Sequence, residues 1–295
     1  MLYKIRHVTE YLYSEEVSHC YNLAHMIPRT SLRQRAIMTN IQVEPGTSYT
    51  SKREDYFGNL AYHFEIIRPH KKLVIIANSE VDTGPQHTDL RLDLGLTCGD
   101  ALVMLQDARS ADIRLAREFL HDSPLVRASA ALREYALPSF EANRPLLSAV
   151  AELTRRIYAE FKYSPESTTV STPLSEVLAT KKGVCQDFAH LQIGCLRSLG
   201  FPAKYVSGYI ETLPPPGQEK LTGVDATHAW LSVYSPTEGW FEFDPTNGCL
   251  AGEQHIITAW GRDYLDVTPL KGVIFGGGKA PKLNIAVDVT RQPGN

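Results

Sequence analysis

The sequence predicts an α+β protein whose strands are antiparallel, and three observations carry that prediction. The first ~85 residues read as strands broken by Gly, Pro and Asn, helical spacing takes over from about Ser110, and strand alternation returns over 203–250. The chain has 295 residues, 43% of them hydrophobic and 21% charged, enough for one large or two medium domains with real cores.

The elements follow in order. LYKIRHVTEYLY alternates in part, and IQVEP stops at a proline and a glycine. YFGNLAYHFEIIRP alternates around Gly58-Asn59, and KKLVIIANSEVDT is a β-branched run. Segments of this length, separated by turn residues, predict a sheet or small sandwich of antiparallel strands. IRLAREFLH and LVRASAALREYA then show helical spacing, and SAVAELTRRIYAEFKY, after Arg144-Pro145, is the longest amphipathic stretch. The division falls in the loop around 83–110, giving a β-rich N-terminal region over 1–95 and a core with a helical lead-in over 96–295. The tail, from GRDYLDVTPLKG through Gly276-Gly277-Gly278 to KLNIAVDVT, reads as loop plus a last strand.

Composition excludes several classes. With 30 Lys+Arg against 33 Asp+Glu, the net charge of −3 argues against a nucleic-acid binder. No apolar run approaches the ~20 residues a bilayer span requires. Charges interrupt the apolar residues of MLYKIRHVTEYLYSEEVS, which is unlike a secretory signal. The expectation is a cytoplasmic protein with no nucleic-acid or membrane partner. Five cysteines, an odd number at long gaps with no CxxC pair, do not suggest a disulfide scaffold. Zinc-finger spacing, HExxH, GxGxxG after a strand and the P-loop signature are all missing, so no metal or cofactor is expected.

The chemistry concentrates in TKKGVCQDFAHLQIGCLRSLGFP. Val184, Phe188, Leu191, Cys195 and Leu199 fall at helical spacing as a buried stripe, ended by Gly200 and Pro202. Cys195 lies on that stripe and reads as a small core hydrophobe. Cys185 sits off the stripe in the first turn, where exposed N–H groups and the positive end of the helix dipole favour a thiolate. His190 is five residues further along, about 140° round the helix, and is not placed to act as its base.

A base is found downstream. DATHAWLSVY and GWFEFDPT alternate as two half-buried strands joined by SPTEG. Setting Tyr234 opposite Trp240 puts Leu231 opposite Phe243 and Val233 opposite Phe241, so the apolar sides match. Asp244 then lies one diagonal step from His228 on the same face, within reach of an imidazole. A thiol at a helix start with a His oriented by an Asp is an arrangement suited to thiol acyl transfer.

GVCQDFAHL, GFPAKYVSGYIE, DATHAWLSVY and GWFEFDPTNG, in this order and spacing, resemble the transglutaminase-like superfamily of cysteine enzymes. The N-terminal strands and the tail GRDYLDVTPLKGVIFGG resemble its bacterial subgroup with a transglutaminase-like N-terminal region. The resemblance implies a papain-like core, with a Cys-bearing helix packed on an antiparallel sheet. It also implies Cys185 as nucleophile, His228 as general base and acid, and Asp244 as its orienting partner.

Supporting residues are less sharply defined. The Cys185 backbone N–H is a natural oxyanion donor. Tyr163, in EFKYSPE, either supplies a second donor or closes the preceding helix against the core. Trp230 either walls the site or packs in the core, and Asp263 and Tyr264 in GRDY fall near the cleft by analogy with the subgroup. The expected substrate is a peptide or protein amide. Hydrolysis by a peptidase or amidase is favoured, because no acidic cluster suggests a calcium site and no protein-glutamine docking surface is evident. Protein-glutamine transglutamination or deamidation is the alternative. Two readings from other classes stand beside these: a metal hydrolase ligated by Cys185, His228 and Asp244, and a peptide-binding module without turnover. Side-chain preference is expected to depend on the proline-rich loop 212–225.

Overall fold

The N-terminal sheet is built around one long strand, β1 (Leu2–Ala24), in which Tyr3, Ile5, His7 and Thr9 turn inward at every second position. The computed structural model describes residues 1–84, 91–107, 109–212 and 226–292. Four further strands follow, β2 (Gln34–Glu44), β3 (Tyr49–Glu54), β4 (Leu60–Ile66) and β5 (His70–Thr83), in the antiparallel order β2-β5-β1-β4-β3. The turn between β3 and β4 falls at Gly58-Asn59, where Gly58 has φ +71°, as the alternation around that pair predicts.

Helices α1 (Cys98–Met104), α2 (Ala111–Arg117), α3 (Ala130–Ala136) and α4 (Leu146–Glu160) make up the lead-in. The first three are short, and each is started by a hydroxyl, of Thr97, Ser110 or Ser129, that accepts an N–H of the first turn. A two-residue strand β6 (Lys162–Tyr163), helix α5 (Leu174–Thr180) and strand β7 (Lys182–Gly183) lead into α6 (Cys185–Leu199). β6 and β7 pair in parallel, setting Tyr163 beside Gly183 just ahead of α6.

Helix α6 is buried on more than the predicted stripe. Every residue from Asp187 to Arg197 is buried, while Cys185 and Gln186 in its first turn stay partly open. The cause is its central place: α3, α4 and α5 pack on one side and the sheet strands β8 (Ala203–Ile210) and β9 (Ala226–Ser235) on the other. Gly200, at φ +93°, ends the helix, and Gly200 and Phe201 donate their N–H groups to the carbonyls of Arg197 and Leu196.

The second sheet adds β10 (Gly239–Asp244), β11 (Cys249–Leu250) and β12 (His255–Gly261), in the order β11-β10-β9-β8-β12. The β9–β10 register is the one the apolar alternation predicts, with Tyr234 opposite Trp240, Val233 opposite Phe241 and Leu231 opposite Phe243. β12 is an edge strand, and side-chain amides of the N-terminal region satisfy its outer backbone groups. Gln34 bonds both the N–H and the carbonyl of Ile257, at 2.8 and 2.7 Å, and Asn59 does the same for Trp260, at 2.9 and 2.8 Å. An open edge is thereby closed to other strands.

The tail forms two strands where one was expected. β13 (Leu270–Gly276) and β14 (Lys282–Arg291) both pair antiparallel with β1, joined through Gly276, Gly277 and Gly278, all at positive φ. β13 is exposed along most of its length and so has no apolar alternation to announce it. Both strands fall within the 96–295 part of the expected division and complete the sheet of the 1–95 part. The two parts also share a core, in which Tyr3, Ile5, Val287 and Val289 pack with Tyr209 and Ile256.

Candidate active site

Cys185 is the first residue of α6, and its position is set by the turn before it. Asp187 reaches back to accept the Val184 N–H at 2.8 Å and the Thr168 hydroxyl at 2.6 Å. Gly183 leaves room for this cap, since a Cβ there would meet the Asp187 side chain at 2.8 Å. The thiol is left at the helix start, partly exposed, with the first-turn N–H groups around it.

His228 comes from β9 and stands beside the Cys185 side chain, close enough for the thiol to act on the imidazole. Its Nε2 lies 2.7 Å from Asp244 Oδ2, so the nitrogen free to face the thiol is Nδ1. Gly208, paired with His228 across β8 and β9, is required here: a Cβ would come within 2.0 Å of the Ile256 carbonyl oxygen. Trp230 stacks on the His228 ring at 5.9 Å and donates its indole N–H to Glu242 at 2.8 Å. It is fully buried and supports the ring from below.

Asp244 is 0% exposed, and every lone pair has a donor. Oδ2 is bonded by His228, by His255 at 3.0 Å and by the Asn247 side chain at 2.6 Å. Oδ1 accepts the backbone N–H groups of Thr246 and Asn247 at 2.9 and 3.3 Å. His255 has a fixed tautomer: its Nδ1 accepts the Gly252 N–H at 3.1 Å, so the ring proton sits on Nε2 and points at Asp244.

The electrostatics follow. Burial pulls the His228 imidazole down, but its hydrogen bonds with Asp244 and Cys185 and their negative charges outweigh that and push it up to about 10. Burial raises the Asp244 carboxyl, and the hydrogen bonds and charges of His228 and His255 hold it well below the usual carboxylate range. His190, on α6 itself, is pushed down to about 3 by burial and the Arg197 charge, and its Nε2 accepts the Tyr264 N–H at 3.1 Å. It is a neutral acceptor inside the core.

The remaining expected residues fall in different places. Tyr163 is 52% exposed and close enough for Cys185 and Asp187 to add to the effect of burial in raising its phenol. Tyr264 is half-buried, with its ring edge-on to Tyr205 at 6.4 Å. Tyr205 is itself within the electrostatic range of Cys185. Asp263 is fully buried and uses both carboxylate oxygens on the N–H groups of Leu125 and Leu265, each at 2.9 Å. It ties two loops together and, with no exposed surface, does not line a cleft. Residues 213–225 of the loop expected to shape side-chain preference lie outside the described residues.

Sequence reasoning missed His255 and Asn247. The signal for Asn247 was present in Asp244-Pro245-Thr246-Asn247, where an aspartate commonly accepts the N–H groups that follow it. His255 alternates with Ile257 and Ala259, a pattern that by itself carries no sign of a polar role.

The metal reading takes a different form here. His228, Asp244 and His255 offer ligand atoms within 4.8 Å of one another, and Cys185 is not part of that set. The two Nε2 atoms converge on one oxygen at hydrogen-bond distance, and His255 is held as the Nε2–H tautomer. A cation between them would have to displace both protons.

Comparison with known proteins agrees with this architecture. The bacterial transglutaminase-like N-terminal region matches residues 3–82, and the transglutaminase-like superfamily model matches residues 134–245. A protein of Mycobacterium tuberculosis described as uncharacterized is 41% identical over 299 residues, covering 99% of this chain and 94% of that protein. A protein-glutamine gamma-glutamyltransferase of Pseudomonas aeruginosa is 31% identical over 136 residues, 43% of this chain and 19% of that protein. The solved structure of a proposed cysteine protease from Cytophaga hutchinsonii has a TM-score of 0.76 at 21% identity, covering 100% of this chain and 92% of that one. The fold is the papain-like α+β fold of that structure. The chain belongs to the transglutaminase-like superfamily, with the bacterial N-terminal region ahead of its core.

Proposed function

We propose that this protein is a cysteine-dependent enzyme acting on amide bonds of peptides or proteins, through a thioester on Cys185. The observation that carries this reading is the grouping of three side chains: Cys185 at the start of α6, His228 beside it and close enough for the thiol to act on the imidazole, and Asp244 on His228 Nε2 at 2.7 Å. His228 takes the thiol proton through Nδ1, and Sγ adds to the amide carbonyl carbon. The C–N bond then breaks, the amine leaves with the proton His228 carried, and the acyl group stays on sulfur. Asp244 holds the imidazole in one tautomer and stabilises the imidazolium. The Cys185 N–H at the helix start is the oxyanion donor, with the Tyr163 hydroxyl as the candidate second donor.

Water as the second substrate, deprotonated by His228, returns the free enzyme and an acid, which makes the protein a peptidase or amidase. A second reading has specific support: similarity to the Pseudomonas protein-glutamine gamma-glutamyltransferase favours a glutamine side-chain amide as acyl donor, with water or an amine as acceptor. One incubation separates the two. Unfolded casein treated with the protein and monodansylcadaverine is analysed for new amino termini, released ammonia and incorporated amine. New termini identify a peptidase, ammonia a deamidase, and dansyl label a transglutaminase. None of the three, with wild type indistinguishable from Cys185→Ala, overturns the proposal.

A further inference from the structure

On the face of the second sheet that carries His228, four residues further along β8 and so roughly 13 Å away, lies a lysine that the proposed chemistry does not use. Lys204 pairs with Ser232 just as Gly208 pairs with His228. It is 6% exposed, yet its ammonium has no hydrogen-bond acceptor among the described residues. Its Nζ is held between two indole faces, 4.1 Å from the Trp240 ring centre and 3.7 Å from that of Trp260. Arg29 covers the other indole contact, with its guanidinium carbon 3.3 Å from the Trp260 ring centre. Burying two cations against one ring without a direct carboxylate partner for Lys204 is costly unless something anionic completes the group.

The space for it is present. Lys204, Trp240 and Trp260 line a cavity of about 730 Å³, within the range of small-molecule sites. Phe119 stands edge-on to Trp240 at 5.4 Å and adds a further apolar wall. The polarity of this cavity changes from floor to mouth. The cation is buried at the bottom, whereas of the three acids that line it Asp112 and Glu238 are exposed at the solvent side and Glu118, partly exposed, accepts the Tyr56 hydroxyl at 2.7 Å. A simple anion would be opposed at the entrance and a simple cation at the floor.

We propose that this cavity is a binding site for an aromatic amino acid or a close zwitterionic analogue. The ligand carboxylate sits on Lys204 Nζ, its ring packs against Trp240 and Phe119, and its ammonium faces Glu238 and Asp112. This inference is independent of the chemistry proposed for Cys185. Burial, with Arg29 adding and Glu242 opposing, lowers the Lys204 ammonium to about 7. A bound carboxylate would restore the charged form.

The test is a titration of intrinsic tryptophan fluorescence with three ligands that share a ring: L-phenylalanine, phenethylamine without the carboxylate, and 3-phenylpropionate without the ammonium. Saturable change with L-phenylalanine is expected, with affinity falling roughly tenfold or more for phenethylamine and less for 3-phenylpropionate. Lys204→Met is expected to abolish the preference for phenylalanine over phenethylamine, and Glu238→Gln to weaken phenylalanine and phenethylamine while sparing 3-phenylpropionate. The ligand series on the wild-type protein needs no variant to fold. No saturable change with phenylalanine up to about 20 mM overturns the proposal. Equal affinity for phenylalanine and phenethylamine overturns it as well.

Discussion

Helix α6 sets one cysteine at its start and another in its interior, and the two meet opposite surroundings. At its start, Cys185 is partly exposed, and a histidine from a neighbouring strand, pushed up to about 10, stands beside it. Further along, Cys195 is fully buried and pushed up to about 12 by burial, while His190 is pushed down to about 3. What separates the two is the supply of partners. His228 has a carboxylate on one nitrogen and a thiol beside it, whereas His190 accepts a backbone N–H on Nε2, which keeps that nitrogen unprotonated. The end of a helix, where donors are unpaired, leaves its side chains open to partners, and the middle of a helix buries them.

Substitutions at the two cysteines should break the comparison most visibly. Cys185→Ala is expected to remove turnover by a factor on the order of 10⁴ or more, measured on whichever casein product the wild type yields. Cys195→Ala is expected to leave the rate unchanged. Asp244→Asn comes next, with a loss of roughly 10²–10⁴ in rate, because the imidazolium loses its counter-charge and its tautomer. An NMR titration of His228 in that variant should move down from about 10 towards 6.5.

His255 sharpens the account further. His255→Leu is expected to cost roughly tenfold in rate and to shift the pH profile, while His255→Gln, which keeps an N–H for Asp244, should recover most of both. A residue of purely structural importance would change stability in both variants and leave the pH profile of the remaining activity alone. The smallest effects belong to the core. Cys195→Ala should lower unfolding stability by about 1 kcal/mol through the space it leaves, read from a denaturant midpoint.

The two histidines also give opposite pH dependences. The folded pKa of His190 lies below that of the unfolded chain, so the unfolded state binds the extra proton and stability falls as pH drops below 6.5. The effect is roughly 1 kcal/mol between pH 6 and 5 and should be absent from His190→Gln. His228 has its folded pKa above the unfolded value. Its contribution is complete below 6.5 and disappears as pH rises through about 10.

Much of the site was legible because it rests on local patterns. The apolar alternation of β9 and β10 fixed their register, and the register alone brought His228 next to Asp244. The break in the α6 stripe marked Cys185 as different from Cys195. What was not legible depends on contacts distant in sequence. His255 meets Asp244 only because β12 is placed across the sheet, held there by Gln34 and Asn59 from the N-terminal region. Strand β13 has no buried face to set a period, and Asp263 was placed near a cleft although its carboxylate closes a loop. Nothing local to Lys204 in its otherwise apolar strand foretells the two indole faces around it.

His228 as the base that activates Cys185 is tested by the rate at which iodoacetamide alkylates Cys185 at neutral pH. Labelling is located by peptide mass and compared between wild type and His228→Ala. Rapid labelling of Cys185 is expected in the wild type, with Cys195 unlabelled in the folded protein. In His228→Ala the labelling of Cys185 should slow by roughly tenfold or more. Equal rates of Cys185 labelling in the two proteins would overturn that role for His228.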